Sequence, residues 1–271
     1  MNKQIVFIGG GNMAQAIIAR MVTASWKGEQ IHVVDRNPDK LQRLQEYYGV
    51  QTHNSFGPWI GECDIVVLAV KPQQLSEVIR QIHSWLIQAL VISIAAGFKV
   101  ETLEKLTETS RIVRCMPNTP VQIGEGVCGL FASKGASNSK DHELVNRVFS
   151  SCGDLFWCDE EEMLEGITAV SGSGPAYVFH FIEALEEAGR RYGFNKVQAT
   201  RLAIATVLGA AQLAKSSTDS PATLRERVTS KGGTTYEALK VMDENNFIPM
   251  MQKAMDACKK RSRELGEIFS K

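Results

Sequence analysis

The residues best suited to chemistry lie late in the chain, in Ser230-Lys231-Gly232-Gly233-Thr234-Thr235. Ser220 can cap a helix that opens on Pro221, and the paired glycines then interrupt the apolar spacing before a second helix starts near Thr234. A helix start carries unpaired backbone N–H groups and the positive end of the peptide dipole, so this turn can seat a small carboxylate beside two threonine hydroxyls. The same residues also describe an ordinary helix-turn-helix corner with Ser and Thr as caps. The rest of the chain decides between them.

At the other end, the apolar run Ile5 to Ile8 passes into Gly9, Gly10, Gly11, Asn12, Met13 and Ala14. This is strand, turn and helix, with Gly9, Gly11 and Ala14 fitting G-x-G-x-x-A: a tight turn, a close backbone approach to a pyrophosphate, and helix-on-sheet packing. A second strand, Ile31 to Val34, ends at Asp35, about 20 residues further on, where a ribose-reading acid stands in dinucleotide-binding folds. Asp35 and Arg36 pull in opposite directions. The carboxylate suits the free 2′-hydroxyl of NAD, whereas Arg36 and Lys40 suit the 2′-phosphate of NADP. The reading places NADPH first and NADH second.

Further strand signals fall at Ile65 to Val70, Leu90 to Ile94, Ile112 to Cys115, Gly126 to Phe131 and Leu155 to Trp157. Most are continuous apolar runs, which marks strands buried on both faces of a parallel sheet. Helices such as Asp39 to Tyr48, Gln73 to Gln88 and Val100 to Leu106 alternate with them. The fold class is α/β: a doubly wound, mostly parallel sheet in residues 1–160, followed by an all-α dimerisation domain in residues 161–271. Three strand ends carry Ala69-Val70-Lys71-Pro72, Ala95-Ala96-Gly97 and Met116-Pro117-Asn118-Thr119-Pro120. Ligands lie outside the carboxyl ends of such strands, so these loops are expected to line one crevice.

Beyond the charge run Asp159 to Glu162, small residues follow in Ser171-Gly172-Ser173-Gly174-Pro175-Ala176-Tyr177. Two helices, to Ala188 and from Val197 to Ala214, are then apolar on nearly every face. So short a helical domain has little interior to hide them, and packing against a second copy of the chain is expected. With 30 Lys plus Arg against 30 Asp plus Glu, the net charge is zero, and no basic field invites nucleic acid or an acidic membrane. Six cysteines without C-x-x-C and five histidines without H-E-x-x-H encode neither a metal site nor a redox dithiol. No leader pattern precedes the first strand, and no run reads as a span of about 20 apolar residues; the expectation is a cytoplasmic protein.

Taken together, the G-x-G-x-x-A start, AVKP, AAG, MPNTP, SGSGPAY and P-x-x-L-R-x-x-V-T-S-x-G-G-T-T resemble pyrroline-5-carboxylate reductase over the whole chain in order. The resemblance implies transfer of hydride from NAD(P)H to the C5 imine carbon of a cyclic imine, giving proline. It implies a homodimer, with five dimers forming a decamer, and neither metal, nucleic acid nor membrane partner. Gly9, Gly11, Asn12 and Met13 would lie on the pyrophosphate, with Ile8, Gly10 and Ala14 framing them. Asn54 would reach the adenosine, Val70, Lys71, Ala96 and Gly97 would border the nicotinamide half, and Ala69, Pro72, Ala95 and Asn118 would also contact cofactor. Ser230, Gly232, Gly233, Thr234 and Thr235 would hold the substrate, Thr235 being nearest the ring nitrogen and the catalytic hydroxyl. Glu161 matches a position that approaches substrate, and Arg227 one that touches cofactor. Lys231 replaces the Pro of many members, and Asp35 replaces a neutral residue of NADP-preferring ones. Two alternatives stand beside it: a β-hydroxyacid-type dehydrogenase, whose lysine is missing from SGSGPAYVFHF, and a non-catalytic NADP-binding sensor.

Overall fold

Apolar residues at both odd and even positions of a strand require cover on both faces of the sheet, and the structure supplies it. A computed structural model describes residues 3–269. In β1 (Ile5–Ile8) Ile5 and Phe7 enter one apolar cluster while Val6 and Ile8 enter another across the sheet. The described residues continue through α1 (Asn12–Ala24), β2 (Ile31–Val34), α2 (Pro38–Tyr48), β3 (Gln51–His53), β4 (Ile65–Leu68) and α3 (Pro72–Ile82). Then come β5 (Leu90–Ser93), α4 (Val100–Thr107), β6 (Ile112–Pro117), β7 (Gly126–Ala132), α5 (Ser139–Phe149), β8 (Gly153–Trp157) and α6 (Met163–Ile167).

The strands form an eight-stranded sheet in the order β3-β2-β1-β4-β5-β6-β7-β8. All neighbours are parallel except β6 and β7, which are antiparallel. Chain order reverses between β1 and β4, where a doubly wound sheet opens its ligand crevice. Ile17, Ile18 and Met21 of α1 cover one face with Phe149 of α5, and Leu75 and Ile79 of α3 cover the other with Leu103 of α4.

The observed elements depart from the expected ones most at β3, β4, α3 and α5. β4 stops at Leu68, freeing Ala69 and Val70 to turn outward, and the helix expected to reach Gln88 ends at Ile82 with a tight 3-10 turn at His83–Trp85. β3 and α5 were not anticipated.

The described chain divides into two compact units, one running to Ser173 and resuming at Cys258, the other Gly174–Ala257. The second contains α7 (Gly174–Arg191), α8 (Lys196–Ser216), α9 (Pro221–Arg227), α10 (Thr234–Glu244) and the first turns of α11 (Phe247–Phe269). α7 and α8 pair closely where Gly189 meets Ala199, and Thr200 Oγ1 donates to Glu186 Oε2 at 2.7 Å. Within one chain α7 buries no residue and α8 buries Ala199 and Ala203 alone, so Phe179, Leu208 and Leu213 stand exposed. α8 is also long and apolar enough to cross a membrane by length and composition, contrary to the expectation that no run of the chain is.

One buried ion pair joins the third quarter of the sheet to its cover. Asp141, 1% exposed, accepts from Arg111 Nε at 2.9 Å and Nη2 at 2.5 Å and from Asn138 Nδ2 at 2.8 Å. Burial pushes its carboxyl up, but hydrogen bonds from Arg111 and Asn138 outweigh burial and hold it below its ordinary value of 3.8. A depressed carboxylate stabilises fully above its unfolded pKa, and that contribution fades as pH falls through the folded one. Asp141→Ala is therefore expected to cost about 2–3 kcal/mol at neutral pH, less than a sealed pair because Arg111 reaches water. Urea titration of both proteins checks it: the difference should shrink below pH 3.8, and a pH-independent difference contradicts the ion pair as its source.

Candidate active site

The turn after β1 is shaped by what it passes. Gly9 adopts φ +108°, and a Cβ there would lie 2.7 Å from the Ala69 carbonyl oxygen, so only glycine threads β1 past the exit of β4. Its N–H donates to Val34 O at 2.8 Å, and the Gly10 N–H donates to Asp35 Oδ2 at 2.8 Å. Gln15 Nε2 holds the Gly10 carbonyl from the first turn of α1. No side chain caps α1 and no acid sits in its first turn, which leaves its positive end for an anion. A Cβ on Gly11 would have nothing within 4 Å, so this backbone borders an open cradle that a side chain would fill. The cradle suits a dinucleotide pyrophosphate.

That cradle opens on a groove of about 700 Å³. Of the residues expected to touch cofactor, Ile8, Gly9, Gly11, Asp35, Arg36, Asn54, Ala69, Val70 and Lys71 line it. Sequence reasoning missed Ser55, Phe56, Gln74, Glu77 and Trp85, which also line it. Phe56 offered a signal, being a large apolar residue inside a polar loop. Asn54 to Phe56 are presented by β3, whose end is pinned by stacking: the His53 ring lies 3.7 Å from Trp59 and 5.3 Å from His32. Burial, reinforced by mutual repulsion, holds the His32 pKa down against the pull of Glu62, and burial alone lowers that of His53. The stack is therefore neutral packing.

Asp35 does not present a bare carboxylate to the groove. One oxygen accepts the Gly10 N–H, the other accepts the Asn37 N–H at 2.9 Å, and Lys40 Nζ stands 3.6 Å away. The acid is spent on its own turn, while Arg36 has no such partner drawn from it. This charge balance suits a 2′-phosphate better than the residue types alone suggest.

Other expected residues take different places. Ala14 is 1% exposed and acts through packing, and Pro72 is the first residue of α3. Ala95, Ala96 and Gly97 form the loop after β5, outside the groove wall. Asn118 is buried: its Nδ2 donates to Ser171 O at 2.9 Å and its Oδ1 accepts from Val127 N at 2.8 Å, so the amide ties β7 to the segment that follows α6 and lies outside the groove lining. Glu161 is likewise turned inward, its Oε1 accepting from Val100 N at 2.7 Å and from Arg114 Nη1 at 2.6 Å. Buried polar groups must be paired, and these two are paired with protein. Arg227 is bound by Asp219.

In the second unit Ser220 caps α9 by accepting from Thr223 N at 3.1 Å, with Pro221 at the first helical position, as the spacing predicts. Gly232 adopts φ +71°, Gly233 N donates to Ser230 O at 2.9 Å, and α10 starts at Thr234. The residue at the cap is Gly233, and no side chain caps this helix. The Ser and Thr caps of a plain corner therefore form at α9 and not at α10. The first N–H groups of α10 stay open, with Thr234, Thr235 and Lys231 exposed beside them.

Comparison with known proteins agrees across the whole chain. Residues 161–265 match the family model for pyrroline-5-carboxylate reductase dimerisation, and residues 4–97 match that for NADP oxidoreductase, coenzyme F420-dependent. The helical region is thus the part through which the chain homo-oligomerises, which accounts for the apolar α7 and α8. A pyrroline-5-carboxylate reductase of Pseudomonas aeruginosa is 38% identical over 97% of this chain and 97% of its own. One of Arabidopsis thaliana is 34% identical over 97% and 96%. Among solved structures, a pyrroline-5-carboxylate reductase from Coxiella burnetii superposes with TM-score 0.92 at 38% identity, covering 98% of this chain and 99% of its own. A Plasmodium falciparum pyrroline carboxylate reductase with NADP bound gives TM-score 0.86 at 31% identity, covering 98% of each. With the glycine cradle, the groove and the open start of α10 already in place, this chain belongs to the pyrroline-5-carboxylate reductase family.

Proposed function

We propose that the chain reduces 1-pyrroline-5-carboxylate to L-proline, the last step of proline biosynthesis, with NADPH as the preferred cofactor. The observation that carries this reading is the uncapped start of α10, a carboxylate seat flanked by two free hydroxyls in a chain of this family. Residues 1–160 hold the dinucleotide; residues 161–271 hold the substrate and the oligomer contact. The enzyme works in the cytoplasm as a homodimer that assembles further into a decamer.

NADPH supplies the hydride for the C5 imine carbon. The chain's own work is binding and orientation. Gly9, Gly11, Asn12 and Met13 seat the pyrophosphate on α1, Arg36 and Lys40 take the 2′-phosphate, and Asn54 faces the adenosine. The backbone of Gly232, Gly233 and Thr234 grips the substrate carboxylate, with Lys231 adding a positive charge. The Thr235 hydroxyl bonds the ring nitrogen, keeping the protonated imine electrophilic and restraining its orientation. Such a reaction needs no acid stronger than the iminium itself.

The reading is tested by following reduced-nicotinamide absorbance with purified protein and 1-pyrroline-5-carboxylate, using NADPH and NADH in parallel. Imine-dependent loss of the band, faster with NADPH, is expected; binding of NADPH without such loss overturns the enzyme. Thr235→Ala should lower kcat by on the order of 100-fold with thermal stability unchanged, since the cap is Gly233. A full-rate Thr235→Ala enzyme removes the hydroxyl from the mechanism. The two glycines should separate. Gly9→Ala is expected to lose about 1–3 kcal/mol of stability because its φ and its backbone neighbour both exclude a Cβ. Gly11→Ala should fold normally yet bind NADPH on the order of tenfold more weakly, read by calorimetric titration.

A further inference from the structure

A dinucleotide laid across the reversal between β1 and β4 places its adenosine half over β1, β2 and β3 and its other half over β5. The groove fixes the first half at Asp35, Arg36 and Asn54. The loop that meets the second is Ala95 to Lys99, between β5 and α4, and its geometry needs explaining. Gly97 holds φ +92°, and α4 opens at Val100 with no side chain of its own N-cap satisfying its N–H groups.

The missing cap arrives from far along the chain. Glu161 Oε1 accepts the Val100 N–H at 2.7 Å, and the same oxygen receives Arg114 Nη1 at 2.6 Å from the neighbouring strand β6. Both side chains are mostly enclosed, at 15% and 17% exposure. A carboxylate at the start of α4 suits the helix dipole, and Arg114 keeps that carboxylate from being an uncompensated buried charge. From the other side the buried Gly266 of α11 lies so close that a Cβ there would be 3.1 Å from the Gly97 carbonyl oxygen. The same end of α11 is tied down by Arg263, whose Nη2 meets Glu165 Oε2 at 2.8 Å. Among the described residues, these contacts close on the loop from β6, from the segment before α6 and from α11.

We infer that Glu161, Arg114 and Gly266 are positioning residues for the nicotinamide half of the cofactor: they fix the Ala95–Lys99 loop and touch neither substrate nor cofactor. This rests on the dinucleotide reading above. It gives Glu161 a different task from the substrate contact that family resemblance implies, and it gives Arg114 a task where the sequence suggested none.

The test separates the two halves of the cofactor by titrating the purified protein with NADPH and with 2′,5′-ADP, which carries the adenosine half and its phosphates alone. Glu161→Ala is expected to keep 2′,5′-ADP binding within about twofold while weakening NADPH about tenfold, and to lower kcat about tenfold with the imine KM held. Glu161→Gln keeps an oxygen acceptor for Val100 N–H and should recover most of the loss. Gly266→Ala decides the matter if Glu161→Ala fails to fold: alanine favours the helix, so stability is kept, yet the methyl presses on the Gly97 carbonyl. It should weaken NADPH relative to 2′,5′-ADP by a few-fold. A rise in imine KM with kcat kept in Glu161→Ala overturns the inference in favour of substrate contact. Equal loss for both ligands, or an unchanged ratio in Gly266→Ala, overturns it as well. Should wild-type protein bind NADPH but reduce no imine, the proposed reaction fails while the ratio of the two affinities still judges the clamp.

Discussion

The structure depends on one close passage, where the backbone leaving β1 crosses the backbone leaving β4. Both strands are buried on both faces, so neither can give way, and a side chain at Gly9 has no room. Once the chain is forced through at φ +108°, its direction is set: Gly10 must point its N–H at the end of β2, and α1 must start at the lip of the crevice. The open anion seat follows from packing in the core. A binding site built this way is rigid before any ligand arrives, which favours a catalyst that works mainly by orientation.

The same passage reinterprets Asp35. Read as a residue type at the end of β2, it argues for a free ribose hydroxyl. In place it accepts two backbone N–H groups and lies near Lys40, so much of its charge is absorbed locally. A carboxylate bound to backbone donors repels a phosphate less than a free one at the same distance, because its field is already partly cancelled. Arg36 then supplies positive charge at that end of the groove that Asp35 does not already hold. Charge counting along a sequence misses this, since it cannot tell a donor-saturated carboxylate from a bare one.

How much was legible follows from how local each signal is. The doubly wound sheet was legible because continuous runs such as Ile65 to Leu68 mean burial on two faces wherever they occur. The two helix starts at Pro221 and Thr234 were legible because cap and glycine chemistry act over four residues. β3 was not, since Gln51-Thr52-His53 has no apolar run and forms only because β2 offers an edge. α5 was overlooked although Asn138 caps it, for its charged face masks the stripe of Leu144, Val145 and Val148. Asn118 and Glu161 were legible as polar residues near ligand loops, yet their partners are dozens of residues away, at Ser171 and Val100. Motif position brought them to the right neighbourhood, and long-range pairing decided which way they face.

The helical unit shows the same limit from the opposite side. Its sequence is apolar enough for a core, but in one chain α7 encloses nothing and α8 encloses two alanines. Exposed rings such as Phe179 and Phe181, and aliphatic residues such as Leu208 and Leu213, lie on these helices. Large apolar residues exposed in this number on two paired helices are uncommon on a monomer and are the usual mark of an interface. For such a segment another copy of the chain supplies apolar cover that one chain lacks. Stability of the helical unit and assembly of the oligomer are then one equilibrium. The turn proposed to seat the substrate lies between α9 and α10 of that unit, so whatever holds those helices also holds Gly232 to Thr235 in place.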